Sequence, residues 1–196
     1  MRCILLLFTT LLMPTKELEI YEELQLDLER NSPVYISQLN VGDSLHFTFT
    51  YTQVEAENRA KIHILDEKKE NKVFVFQLRF NMNNDTYLYK ETNYTDYTVT
   101  NTVKNQEWGH GGNRNLLPES VKSRGNSESE LIIHLTRTNY SVSINGEVQE
   151  NLMQNNREGL EFHKGAYLAV YNGESVKFLS KAVRAYYMHD IILSGI

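Results

Sequence analysis

Apolar residues recur at every second position along much of this chain, the period of a strand with one face buried. Leu45, Phe47, Phe49 and Tyr51 share a face after a Val41-Gly42-Asp43 turn, and Ile62 and Ile64 share another. Residues 66–72 read as a charged hairpin loop between that segment and the next. In the strand over 73–81, Phe74, Phe76, Leu78 and Phe80 take the core side, while Val73, Val75, Gln77 and Arg79 take the other. Leu131, Ile133 and Leu135 alternate, as do Tyr140, Val142 and Ile144, and Asn145-Gly146 is a two-residue hairpin signal. Further strands are expected over 167–170 and 176–179, with Asn172-Gly173 as a turn between them, and a looser alternation runs over 184–196. Residues 16–30 mix good helix formers with the alternating Leu24, Leu26 and Leu28, so a strand is expected over the second half, broken by Asn31-Ser32-Pro33. Many short strands separated by turn signals imply an all-β, two-sheet antiparallel sandwich.

Composition narrows this picture. With 196 residues, 41% hydrophobic and 23% charged, the chain suits one ordinary globular domain with a sizeable core. Twelve Tyr and eight Phe against three Pro favour strands. The net charge of −5 and the lack of any Lys/Arg run argue against a nucleic-acid partner. Residues 1–14 have a positive start and an apolar middle, as in a secretory signal peptide; the bland alternative is a buried first strand or a frayed start. The run is shorter than the roughly 20 apolar residues that span a bilayer. Cleavage would remove Cys3, the only cysteine, and make the protein extracellular; an uncleaved chain would be cytoplasmic. Residues 82–96 form a polar insertion with sequons at Asn84 and Asn93, and a third sequon begins at Asn139.

Candidate chemistry gathers over residues 97–114, which hold the only tryptophan, Trp108. Tyr97, Val99 and Asn101 share one face there, with Thr98 and Thr100 inward. A tight connection then leads to a second strand carrying Trp108, followed by glycines that a strand interior would not choose. A lone tryptophan is usually a core residue. In this polar, glycine-rich setting it instead offers a flat apolar platform with one N–H donor. Asn101 supplies both donor and acceptor, and the fork of Arg79 matches vicinal hydroxyls, although an outward arginine is by default a solvated charge. Gln77 and Arg114 are further candidates, and His110 reads as exposed. An apolar face rimmed by hydrogen-bonding groups suits a sugar.

These residues, in this order, resemble the galectin family, whose members carry His-x-Asn-x-Arg, then Val-x-Asn, then Trp-Gly-x-Glu-x-Arg. Val75-Phe76-Gln77-Leu78-Arg79-Phe80-Asn81, Val99-Thr100-Asn101 and Trp108-Gly109 stand in those places. Val75 replaces the His, Gln77 the Asn and Gly111 the Glu, and Arg114 arrives one residue late. Leu39-Asn40-Val41-Gly42 stands for the family's Leu-x-Pro-Gly. The closing Gly-Asp-Val has two rival matches, at Gly173-Glu174-Ser175-Val176 and at His189-Asp190-Ile191. The resemblance covers roughly residues 32–196, and residues 15–196 are read as one galectin-like carbohydrate-recognition domain. It implies a jelly-roll sandwich of galectin or concanavalin-like type, with carbohydrate bound by Gln77, Arg79, Asn101, Trp108 and Arg114. It also implies altered specificity. The family's His contacts the axial hydroxyl of galactose and its Glu braces arginines, and both are missing.

Enzymatic chemistry is not expected. The ligand strand carries no paired carboxylates for glycoside hydrolysis, and there is no Ser-His-Asp arrangement. Six scattered His give no zinc spacing, so neither metal nor cofactor is expected. The expected partners are glycans or glycoproteins, and the pattern does not decide between monomer and homodimer. The rival reading is a galectin-like sandwich that has lost galactoside binding and acts as a protein-interaction module.

Overall fold

The structure, a computed structural model, describes residues 18–80, 97–109, 113–137, 139–150, 154–155 and 164–188. The leader expected over residues 1–14, the insertion with Asn84 and Asn93, His110 to Gly112, and the His189-Asp190-Ile191 match lie outside the described residues. In chain order the strands are β1 (Leu18–Gln25), β2 (Val34–Tyr35), β3 (Ser44–Tyr51), β4 (Asn58–Leu65), β5 (Lys72–Phe80), β6 (Tyr97–Lys104) and β7 (Glu107–Trp108). They continue as β8 (Asn113–Leu116), β9 (Glu128–Leu135), β10 (Asn139–Ile144), β11 (Glu147–Val148), β12 (Gln154–Asn155), β13 (Tyr167–Tyr171) and β14 (Val176–Met188). One short helix, α1 (Glu119–Lys122), follows β8.

The strands form two antiparallel sheets. The first runs β1-β14-β3-β9-β10-β11, with β12 also on β10; the second runs β2-β13-β4-β5-β6-β7, with β8 also on β6. The sheets meet face to face through the alternating residues. Leu45, Phe47, Phe49, Leu131, Ile133 and Ile144 of the first sheet and Ile62, Ile64, Phe74, Phe76, Leu78 and Phe80 of the second are buried in one core. Aromatic pairs bridge the layers, with ring centroids 5.3 Å apart for Tyr51 and Phe80 and 4.7 Å for Phe74 and Tyr140.

The two sheets differ on their outer faces. In β3, β9 and β10, buried positions alternate strictly with more open ones, as one solvated face requires. In β5, by contrast, Val75 and Gln77 are buried as fully as the core residues beside them. The second sheet therefore carries a lined outer surface, and the candidate residues stand on it.

Three expectations change. The first strand covers the first part of residues 16–30, because residues 18–25 pair with β14; Leu26 and Leu28 pack against the core beyond it. The segment expected over 176–179 and the described part of the one expected over 184–196 join into one strand, β14, whose register with β3 shifts between Phe178 and Ala182. This strand follows directly on Gly173-Glu174-Ser175, so that match feeds the described closing strand. The turn is tied down by Asn58, whose amide nitrogen donates to Ser175 Oγ and whose oxygen accepts the Ser175 N–H. Finally, Val73 does not share the face of Val75. The register of β5 shifts between Lys72 and Val75 against β6, and between Ile64 and Leu65 on the β4 side. The bulge places an extra residue on β5. Val73 turns into the core, and Lys72 takes the outer face.

Candidate carbohydrate site

Register assigns the outer face of the second sheet row by row, because directly paired residues point the same way. One row runs Tyr35, Tyr167, Leu65, Lys72, Val103, Trp108 across β2, β13, β4, β5, β6 and β7. The next runs Ala169, His63, Val75, Asn101. A third holds Tyr171, Lys61, Gln77 and Val99, with Arg114 paired to Val99 on β8. The last includes Arg59 and Arg79.

Trp108 is 48% exposed, the condition an aromatic platform needs and a core tryptophan does not meet. Its strand is set by a two-residue turn at Asn105 and Gln106, both with positive φ (51° and 67°), as the tight turns of hairpins require. That turn is anchored from outside. Asn71 accepts the Asn105 N–H at 2.9 Å and donates to Asp66 at 2.7 Å, linking the β4–β5 turn to the β6–β7 turn. The bulge at Val73 then brings the Lys72 ammonium over the indole, 5.5 Å from the ring centroid.

Asn101 is 9% exposed, and its Oδ1 accepts the Thr102 N–H at 2.7 Å. That bond fixes which end of the amide accepts and leaves the nitrogen to donate elsewhere. Gly109 makes the arrangement possible. A Cβ there would stand 2.8 Å from both Asn101 Oδ1 and Thr102 Oγ1. Gln77 is 4% exposed, and its Oε1 accepts from Arg79 Nε at 2.9 Å, so these two residues of β5 act as one polar unit. Of the five expected residues, Gln77 and Arg79 thus touch, and Asn101 sits in register with Val75 between them and Trp108. The side chain of Arg114 lies outside the description.

His63 stands out among residues that were not expected. It is 7% exposed on the outer face, its ring centroid lies 4.9 Å from that of Tyr171, and its Nε2 is buried without a hydrogen-bond partner among the described residues. Burial, then the positive charges of Lys72 and Lys61, pull its pKa down to about 3, so it is neutral at pH 7. It pairs directly with Val75, the position at which the resembling family carries its His. A signal for it was present in the sequence. His63 alternates with Ile62 and Ile64, which reserves the outer face for it.

Among the described residues no group of His, Cys, Asp and Glu could hold a metal, and no helix is long and apolar enough to cross a membrane. No family model matches the chain, and no curated protein is detectably similar to it in sequence. Solved structures do match. Sheep galectin-11 is similar over 78% of this chain and 94% of its own, at 15% identity and a TM-score of 0.56. Caenorhabditis elegans galectin LEC-6 is similar over 85% of this chain and 96% of its own, at 16% identity and a TM-score of 0.56. The chain therefore has the all-β sandwich fold of the galectins, in divergent form.

Proposed function

We propose that this protein is a non-enzymatic lectin that binds glycans on the outer face of its second sheet. The observation that carries the reading is the exposed Trp108 on the same outer face as the hydrogen-bonding groups of Asn101, Gln77 and Arg79. The apolar face of a pyranose stacks on the indole, while Asn101 and the Gln77–Arg79 unit meet its hydroxyls. Their hydrogen bonds to the protein hold these groups in place before the sugar arrives, which lowers the cost of binding. Arg114 is an additional contact in this reading. The two neighbouring structures are galectins by name, in keeping with a carbohydrate ligand.

The galactoside preference of that family is weakened here. Val75 cannot donate to an axial hydroxyl, and Gly111 cannot brace an arginine. Each lost hydrogen bond is worth roughly 0.5–3 kcal/mol. Two such losses lower affinity by a few powers of ten, so lactose should bind weakly or not at all. The buried Val75 also favours a second reading, a sandwich that has given up galactosides for protein contacts.

A glycan array followed by calorimetry on the purified chain separates the two readings. The lectin reading expects at least one glycan class to bind, with Trp108→Ala abolishing the heat signal and leaving the melting temperature nearly unchanged. If Trp108→Ala leaves glycan affinity untouched, the sugar site is elsewhere. If no glycan binds at all, the protein-interaction reading takes over.

A further inference from the structure

Trp108 is half exposed, yet its ring is not bare. Lys72 and Trp108 stand in one row of the outer face, on β5 and β7, with Val103 of β6 between them. The bulge at Val73 leaves the Lys72 side chain outward, and its Nζ lies over the indole, 5.5 Å from the ring centroid. Because Lys72 reaches from β5 across β6, it covers the side of the ring that looks back over those two strands. Gln77 and Arg79 stand on β5 and Asn101 on β6. A pyranose that stacks on Trp108 and also meets those groups therefore needs the side of the ring where the ammonium sits. The contact has physical support. Among the described residues no carboxylate pairs with Lys72, so the negative face of the indole is the partner its charge finds. Burial lowers its pKa, as for an ammonium laid against the sheet rather than extended into water. Lys61 lies two rows away on β4, and its pKa is lowered by burial first, then by Arg59, Lys72 and Arg79, so the face repels Lys72 on the side away from Trp108.

We infer that Lys72 gates the sugar platform: its ammonium rests on the stacking side of Trp108 and must leave before a pyranose can lie there. A lysine stem turns about single bonds, so the gate opens without any strand moving, and what opening costs is the lost contact with the ring. A cation–π contact at a partly exposed site is worth a factor of about two to five in an equilibrium, and the affinity for a sugar is lower by that factor. The gate also favours some ligands over others. Stacking alone does little more than replace the lost contact, whereas a glycan that adds hydrogen bonds to Asn101 and the Gln77–Arg79 unit exceeds it. This inference rests on the lectin reading and adds to it the residue that controls access to the platform.

Trp108 is the only tryptophan, so the tryptophan emission of the full chain reports this ring alone. Acrylamide, a neutral quencher, should reach the indole more readily in Lys72→Ala than in the parent, and less readily in Lys72→Arg, whose guanidinium stacks on aromatic faces. Calorimetry with lacto-N-neotetraose, a neutral galactose-ended tetrasaccharide, should show Lys72→Ala binding about two- to fivefold tighter than the parent, and Lys72→Arg no tighter than the parent. Unchanged quenching in Lys72→Ala overturns this inference and leaves the lectin reading standing. So does an affinity that stays the same or falls in Lys72→Ala, which would make Lys72 a bystander or a sugar contact. No binding of the tetrasaccharide by the parent or either variant overturns the gate too, and the lectin reading then stands or falls on the glycan array. Should Lys72→Ala fail to fold, Lys72→Gln carries the same comparison.

Discussion

His63 is the residue at which fold and site meet most directly. Its ring is neutral because burial and two nearby ammonium groups oppose the imidazolium, which lowers its pKa from 6.5 to about 3. In the unfolded chain the ring takes up a proton near pH 6.5, so below that value the unfolded state holds a proton the folded state lacks. The stability tied to this group is complete above pH 6.5 and falls as the pH drops toward 3, by up to about 1.4 kcal/mol per pH unit. His63→Gln removes that dependence. Urea unfolding at pH 7, 6, 5 and 4 should show the variant gaining on the parent as acidity rises, and parallel curves would refute the buried neutral ring. The same position shows where sequence reading stopped. Alternation puts His63 outward, but no rule of periodicity states that an outward histidine is nine-tenths covered. That is a property of what packs around it.

At the scale of elements, most strand faces were legible because a one-residue slip would expose a whole apolar row. Phe74, Phe76, Leu78 and Phe80 could be assigned to the core from β5 alone. The bulge in that strand was not legible. It adds one residue without altering composition, so Lys72 read as the end of a loop and Val73 as an outward residue. The hairpin that presents Trp108 has a support that could not be read from sequence either, since Asn71, Asp66 and Asn105 come together only after β4, β5 and β6 have paired. Asn71→Ala should loosen this hairpin without reaching the core. The outcome expected is a melting temperature within a few degrees of the parent, a more mobile Trp108 by fluorescence anisotropy, and glycan affinity reduced several-fold. Unchanged anisotropy and affinity would show that the β6–β7 turn holds itself.

Over the whole molecule, the segment between β2 and β3 is held by one buried cation. Arg184 of β14 donates to the Ile36 and Gln38 carbonyls, the Ser37 hydroxyl and the Asp43 carboxylate. Asp43 in turn accepts the Asn40 N–H at 2.9 Å. Arg184→Ala leaves Asp43 charged and buried without its partner, a change that typically costs about 3–5 kcal/mol. Chemical denaturation should show that loss, with Arg184→Lys recovering only part of it because an ammonium cannot reproduce the planar fork. A loss below 1 kcal/mol would mean that the segment stands without its anchor. The sequence showed Arg184 only as one position in a loosely alternating tail, since its partners lie more than a hundred residues earlier.

Strand β14 has a consequence for how the protein is made. It lies inside the first sheet, between β1 and β3, yet it is the last strand described. A ribosome adds roughly 5–20 residues per second, so β1 and β3 leave the tunnel many seconds before the strand that joins them. Until then β3 offers its unpaired edge and its Leu45, Phe47 and Phe49 face to whatever is near, which is the situation molecular chaperones exist to manage. The β4–β5 and β5–β6 pairs join strands closer together in the chain and can form while synthesis continues. Nascent chains stalled before residue 176 should therefore remain open to protease within β3, and protection should arrive late and all at once, when β14 clears the tunnel.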